Sequence, residues 1–298
     1  MNHPLDRFLP PESAGRTPLF RIGVLSDTHF GDRLRRLPAV LHQILAGADL
    51  LLHAGDVGTL TVLDELSAIA PVVAVHGNDD SAEAQRDLPF QQTLMAAGRR
   101  IFLWHSHHAD PKEELASRQG DDILPKLERT VHHAQQAGAR LAIFGHWHIP
   151  LDVEIAGVRV INPGALAAGN FFTRQSLQSC GVLYLFAGGD NAFSHVNLAD
   201  PERRYAPGFD PHQGFSQQLA RFSDSIISPL LTARLRVLLG HLTPRQVALL
   251  RVVATDQAHR VWAGEAPELT LAMLREAALA DARVDEEVKR SLAAIAEE

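Results

Sequence analysis

A chain of 298 residues, 46% hydrophobic and 21% charged, has the material for one large domain or two modest ones and reads as globular. Its single cysteine, Cys180, excludes an internal disulfide framework and a cysteine-rich zinc site, so any metal must be held by His, Asp and Asn. The net charge of -7 does not favour bulk attraction to nucleic acid, and no apolar run approaches the ~18 residues of a membrane span, so a cytoplasmic protein with no membrane partner is expected.

Residues 1–19, rich in Pro, Gly and charge, read as a loose N-terminal arm. The apolar run over 20–25 is the first strand. It is followed by Asp27-Thr28-His29, an acid and an imidazole two residues apart that can converge on one ion beyond a strand end. Residues 33–46 carry Leu34, Leu37, Leu41 and Leu45 at helical spacing, with Asp32 placed as the N-cap. A short strand over 49–53 runs into Ala54-Gly55-Asp56, and 60–70 gives a second helix. The β-branched run 72–75, suited to burial on both faces, ends in His76-Gly77-Asn78-Asp79-Asp80. Residues 101–104 deliver His105-Ser106-His107-His108, and 141–144 deliver Gly145-His146-Trp147-His148. Between them 122–137 has helical spacing and is stopped by Gly138.

Five apolar strands thus end in Asp, His or Asn. Strands alternating with helices imply an α/β fold with a largely parallel sheet, whose ligands gather outside the carboxyl ends of the strands. Residues 151–155 and 158–161, joined by Ala156-Gly157, form a hairpin, and 181–187 with 192–198 form another. A polar linker over 201–211 follows. Helical patterns then run over 216–227, 230–239, from the Thr243-Pro244 start through 253, over 269–280 and over 284–296.

Two divalent ions held a few ångström apart require a shared carboxylate, several neutral imidazoles and open positions for a water and a phosphate oxygen. Asp56 is the natural bridge, because its two oxygens can reach both ions, and Asn78 can offer an amide oxygen without adding charge. His105, directly after its apolar run, is preferred as a ligand over His107. His107, His108, His132 and His133 read as solvated surface residues, and Asp80 as an acid that orders its loop. Trp104 and Trp147 read as core residues.

The set Asp27-x-His29, Gly55-Asp56, Gly77-Asn78-x-Asp80, His105 and Gly145-His146-x-His148 resembles the calcineurin-like metallophosphoesterase family over residues 20–198. It looks most like the small bacterial and archaeal phosphodiesterase branch. The resemblance implies a two-sheet αββα sandwich at 20–200; the helical patterns beyond it, which the resemblance does not cover, read as a C-terminal helical extension at 201–298. It also implies one ion held by Asp27, His29, Asp56 and His148 and a second by Asp56, Asn78, His105 and His146. The implied reaction is hydrolysis of a small-molecule phosphate ester, most readily a phosphodiester, by a hydroxide bridging two divalent ions. Mn²⁺ is preferred, with Fe, Zn, Ni or Co as alternatives. Many members of that family carry His where this chain has Asp79. Either the ions alone stabilise the departing oxygen or His76 or His107 supplies the proton. The other readings are a nuclease with the same metal centre and a non-catalytic scaffold of the same fold. The extension is expected either to mediate homo-oligomerisation or to roof the metal cleft, beside the plain reading of an accessory bundle.

Overall fold

The structure is a computed structural model that describes residues 3–170, 172–240 and 242–294, with 236–238 as backbone only. Its strands are β1 (Phe20–Leu25), β2 (Leu50–His53), β3 (Val72–Ala74), β4 (Gln91–Ala96), β5 (Arg99–Trp104), β6 (Leu141–Phe144), β7 (Leu151–Ile155), β8 (Val158–Asn162), β9 (Gly169–Asn170), β10 (Thr173–Gln175), β11 (Ser179–Leu185), β12 (Asn191–Asn197) and β13 (Ser223–Ser225). Its helices are α1 (Ala39–Leu45), α2 (Thr61–Ser67), α3 (Ala82–Asp87), α4 (Pro111–Gln119), α5 (Leu124–Gln136), α6 (Phe215–Leu219), α7 (Pro229–Leu239), α8 (Pro244–Trp262), α9 (Leu271–Ala280) and α10 (Glu286–Ala293). The chain divides into two compact units, Met1–Ala167 with Leu177–Phe222, and Ala168–Ser176 with Ser223–Glu298.

The first unit is built on two five-stranded sheets, ordered β12-β11-β1-β2-β3 and β4-β5-β6-β8-β7. In the first sheet β1, β2 and β3 run parallel, and β11, paired with β12, lies antiparallel to β1. In the second β5, β6 and β8 run parallel, flanked by antiparallel β4 and β7. Alternation along each strand separates two faces. Ile22, Val24, Leu52, Ile101, Leu103, Ile143, Ile161 and Leu183 share one buried cluster between the sheets. Leu25, Leu51, Val182 and Tyr184 face Leu41, Ile44, Val62 and Leu66 of α1 and α2, while Phe102, Trp104, Ala142 and Val160 face Leu127 and Val131 of α5. This is the αββα sandwich. Its parallel strands place the carboxyl ends of β1, β2, β3, β5 and β6 where the polar exits begin.

Three local expectations are corrected. The helix expected over 33–46 starts only at Ala39, because Pro38 ends any helix that would run through it, and Asp32 is therefore not its N-cap. The arm is docked: residues Pro4–Phe8 form a 3₁₀ turn, Leu5 is fully buried, Tyr184 Oη donates to Leu5 O at 2.7 Å, and Arg21 pairs with Asp6 at 2.8 Å. The helix expected over 216–227 is the short α6 followed by β13, and Tyr205, Phe209, Phe215 and Phe222 cover the α5 side of the second sheet.

The second unit joins the three-stranded sheet β13-β10-β9 to α7–α10. Thr243 and Gln246 form a reciprocal capping box that starts α8, and Thr270 caps α9. Leu231, Leu250, Val261, Leu271, Leu274 and Leu292 form its core. Residues 295 and 296 of the last expected helix lie outside the described residues. No described helix is long and apolar enough to cross a membrane.

Candidate metal centre

The loops leaving β1 and β2 are stitched together by their backbones. Asp27 N donates to Gly55 O at 3.0 Å, His29 N to Asp56 O at 2.9 Å and Phe30 N to Val57 O at 3.0 Å. Asp27, His29, Asp56, His146 and His148 all adopt left-handed backbone conformations, with φ between 43° and 71°. Each such residue costs about 1 kcal/mol or more, which the sandwich core carries because each fully buried Leu or Ile returns roughly 1.5–3 kcal/mol. Two glycines are required by close approach. A Cβ on Gly77 would lie 2.0 Å from Asp56 Oδ1, and one on Gly145 would lie 2.0 Å from Ser26 Oγ and 2.9 Å from Asp27 Oδ2.

Two groups of side chains converge, and a third, His29 with Asp56 and Asp79, overlaps them both. Asp27, His29 and His148 offer donor atoms within 4.8 Å of one another, and so do Asp56, His105 and His146. In the first group His148 Nε2 is 3.2 Å from Asp27 Oδ1, and the amide of His146 donates to both Asp27 oxygens at 3.2 and 3.1 Å. In the second, His105 Nε2 is 3.1 Å from Asp56 Oδ2, which also lies 3.5 Å from His29 Nε2, so one carboxylate faces both groups. Asn78 Nδ2 donates to Asp79 Oδ1 at 2.9 Å, leaving its buried Oδ1 without a hydrogen-bond partner.

His105 is the most telling member. Its Nδ1 is 2.7 Å from Ala54 O, an acceptor only, so Nδ1 carries a proton and a neutral ring turns the Nε2 lone pair toward Asp56. Two acceptors facing each other at 3.1 Å in a fully buried position repel, so either a proton on Nε2 or a metal ion lies between them. The electrostatics favour the proton. Burial disfavours the His105 imidazolium, but Asp56 and then Asp27 outweigh it and push the group up to about 10. Burial pushes Asp27 up, and His148 with His105 overcomes this and brings it down to about 2. Burial also opposes ionisation of Asp56, yet His105 and His29 hold it well below the usual carboxylate range. His29 is brought down to about 3 by burial and by the Arg33 guanidinium.

His146 is oriented from outside. Its Nε2 is 2.9 Å from Glu114 Oε1, which also accepts from Arg118 Nε at 2.7 Å, while Glu114 Oε2 accepts from His108 N at 2.9 Å. Burial opposes ionisation of Glu114, and the His146 hydrogen bond is the largest effect lowering it, so it stays an acceptor. His146 Nε2 must then donate, which leaves Nδ1 as the ligand atom.

Residues 20–184 match the calcineurin-like phosphoesterase superfamily domain. The chain belongs to this superfamily. A protein of Methanocaldococcus jannaschii named "probable metallophosphoesterase" is 32% identical over 146 residues, 48% of this chain and 67% of its own. A phosphodiesterase of the same organism is 24% identical over 157 residues, 48% of this chain and 82% of its own. The structure of vacuolar protein sorting 29 from Cryptosporidium parvum covers 60% of this chain and 97% of its own, at 18% identity and a TM-score of 0.44.

In this phosphoesterase the structure brings Asp27, His29, Asp56, Asn78, His105, His146 and His148 into one region. His76 and His107 border it, their rings 5.6 Å apart and the ring of His107 5.5 Å from that of His105. The solvated reading of His107 is corrected: it is 6% exposed, sits edge-on to Phe90 at 4.8 Å, and is brought down to about 3 by burial and then by His105 and His146. His133 is half-buried and packs on Trp104 at 4.6 Å. Asp80 orders its loop by accepting from Gly58 N and Gly77 N, both at 2.6 Å. Sequence reasoning missed three participants. Glu114 braces His146, the buried His53 has Nε2 3.0 Å from Thr28 Oγ1, and Arg33 reaches the first group. Arg33 had a signal in its position four residues after His29, obscured by the helix expected there. Glu114 had none.

Proposed function

We propose that this phosphoesterase is a dinuclear metal-dependent phosphodiesterase acting on small-molecule esters, with Mn²⁺ the ion that best supports turnover. The observation that carries the reading is the shared carboxylate of Asp56, whose Oδ2 lies 3.1 Å from His105 Nε2 and 3.5 Å from His29 Nε2 and so faces both groups. Asp27, His29, Asp56 and His148 would hold one ion, and Asp56, Asn78, His105 and His146 the other. Bound there, such ions would lower the pKa of a shared water and neutralise charge on the phosphoryl oxygens.

The chain's own residues do the positioning. Asp56 Oδ2 faces both groups while Oδ1 accepts from Asp79 N, and Asn78 adds an uncharged oxygen. Trp147 and Ile149, 4% and 0% exposed, anchor the loop after β6 in the α5-side core with Phe144 and Leu151. His76 borders the region as the proton carrier of this reading, because His107, brought down to about 3 by burial and its neighbours, holds no acidic proton at neutral pH. The name of the 24%-identical phosphodiesterase supports the diester choice. Elemental analysis of the purified protein, paired with turnover of bis(4-nitrophenyl) phosphate, tests it. Two equivalents of a divalent transition metal and a metal-dependent diesterase rate are expected; a metal-free protein inactive with every added ion would sink it.

A further inference from the structure

Arg33 is a guanidinium only 8% exposed, set among the candidate ligands rather than on the surface. Nη1 donates to His29 Nε2 at 3.0 Å, and Nη2 donates to Asp79 Oδ2 at 2.5 Å. Asp79 follows Asn78, receives the Asn78 amide at 2.9 Å, and through its own N–H binds Asp56 Oδ1 at 2.9 Å. The Arg33–Asp79 pair therefore spans the two groups, touching a residue of the first at one end and the loop that serves the second at the other.

A guanidinium carries five N–H donors, and one carboxylate contact uses a fraction of them. Burying such a charge is costly unless further acceptors satisfy it, and Asp32, with Oδ2 3.7 Å from Nε, stands beyond hydrogen-bond range. The contact to His29 is provisional by its chemistry. The lone pair that Nη1 engages is the one His29 would give to an ion, so loading of the site returns that donor. Nη2 stays anchored on Asp79. A planar fork with one arm fixed and one released matches two oxygens of a phosphoryl group.

We propose that Arg33 seats the phosphoryl group of the substrate and that Asp79, by holding Arg33 and adding a negative charge beside it, restricts the site to monoanionic phosphodiesters over dianionic monoesters. The inference rests on the dinuclear reading above. Arg33 and Asp79 together are neutral, so their wall gives directional hydrogen bonds without the extra positive charge that a dianion would exploit. A second negative charge on the substrate meets the Asp79 carboxylate across the guanidinium at short range, where such repulsion is largest.

The test uses the full chain loaded with Mn²⁺, as wild type, Arg33→Lys, Arg33→Gln and Asp79→Asn. Metal content is measured on each, inorganic phosphate binding by titration calorimetry, and turnover on bis(4-nitrophenyl) phosphate and 4-nitrophenyl phosphate. Both Arg33 variants are expected to keep the wild-type metal content and to bind phosphate about tenfold or more weakly, with the loss greater for Gln. Their diester KM is expected to rise more than kcat falls. Asp79→Asn should keep its metal and raise the monoester-to-diester ratio of kcat/KM by about tenfold. Phosphate affinity within about twofold of wild type in both Arg33 variants would overturn the proposal. So would extra metal in Arg33→Gln, which would make the guanidinium a stand-in for a cation among His29, Asp56 and Asp79. An inactive, metal-free wild type would instead overturn the dinuclear reading itself.

Discussion

Asp27 of the first group and His146 of the second are held by different means. Asp27 and His29 sit in loops whose amides and carbonyls are stitched to those after β2, and Asp27 takes the His146 amide on both oxygens. The His146 ring, in the second group, is held by a side chain, Glu114 of α4, which is itself steadied by Arg118 and the His108 amide. Backbone support cannot be lost by a single side-chain change, whereas side-chain support can. The first group should therefore behave as a fixed site and the second as an adjustable one, with Asp56 common to both.

Removing what is common should have the largest effect. Asp56→Asn is expected to empty both groups together and to lower kcat/KM by about three orders of magnitude or more, read by elemental analysis and diesterase kinetics. Gly77→Ala comes next. Its Cβ would fall 2.0 Å from Asp56 Oδ1, so the carboxylate must turn away, and metal should be lost from both groups while the circular dichroism stays folded. If the Gly77→Ala variant bound metal as the wild type does, the shared position of Asp56 would be in error.

The comparison itself is tested by Glu114→Gln. This variant should weaken the second ion about 10- to 100-fold and leave the first at wild-type affinity, as seen in a two-step metal titration. Equal weakening of both ions would erase the distinction between fixed and adjustable groups. Smallest in its effect on metal is the position of a C-terminal truncation. A stop after Phe222 should leave metal content unchanged, while a stop after Asp200 also removes Phe215, 5.6 Å from the Trp147 ring, and the buried Phe222. Burial of Phe222 alone is worth roughly 1.5–3 kcal/mol, so the shorter protein should melt well below the longer one.

The convergence of the candidate ligands was readable because each lies within a few residues of an apolar run that could only be a strand. Period and punctuation carry that information in one short window. The capping of α8 was readable for the same reason, since Thr243 and Gln246 act within one turn. What failed was nonlocal. Glu114 meets His146 across 32 residues of sequence, and Arg33 meets Asp79 across 46, so neither pairing leaves a mark in a local pattern. β13 pairs with the distant β10, which overrode the helical spacing of 216–227. Pro38 is a different kind of miss. Its fixed φ and missing N–H were visible in the sequence, and the leucine spacing around it was given too much weight.

The left-handed backbone at Asp27, His29, Asp56, His146 and His148 has a bearing on how such a fold can age in evolution. Glycine accepts those torsions freely, so a ligand replaced by glycine loses a donor and gains local relaxation of about 1 kcal/mol. That relaxation offsets part of what the lost side chain contributed, such as the acceptor Asp27 gives the His146 amide. Asp27→Gly should accordingly melt higher than Asp27→Ala, and the sheets would outlast their ions as a surface free for other uses.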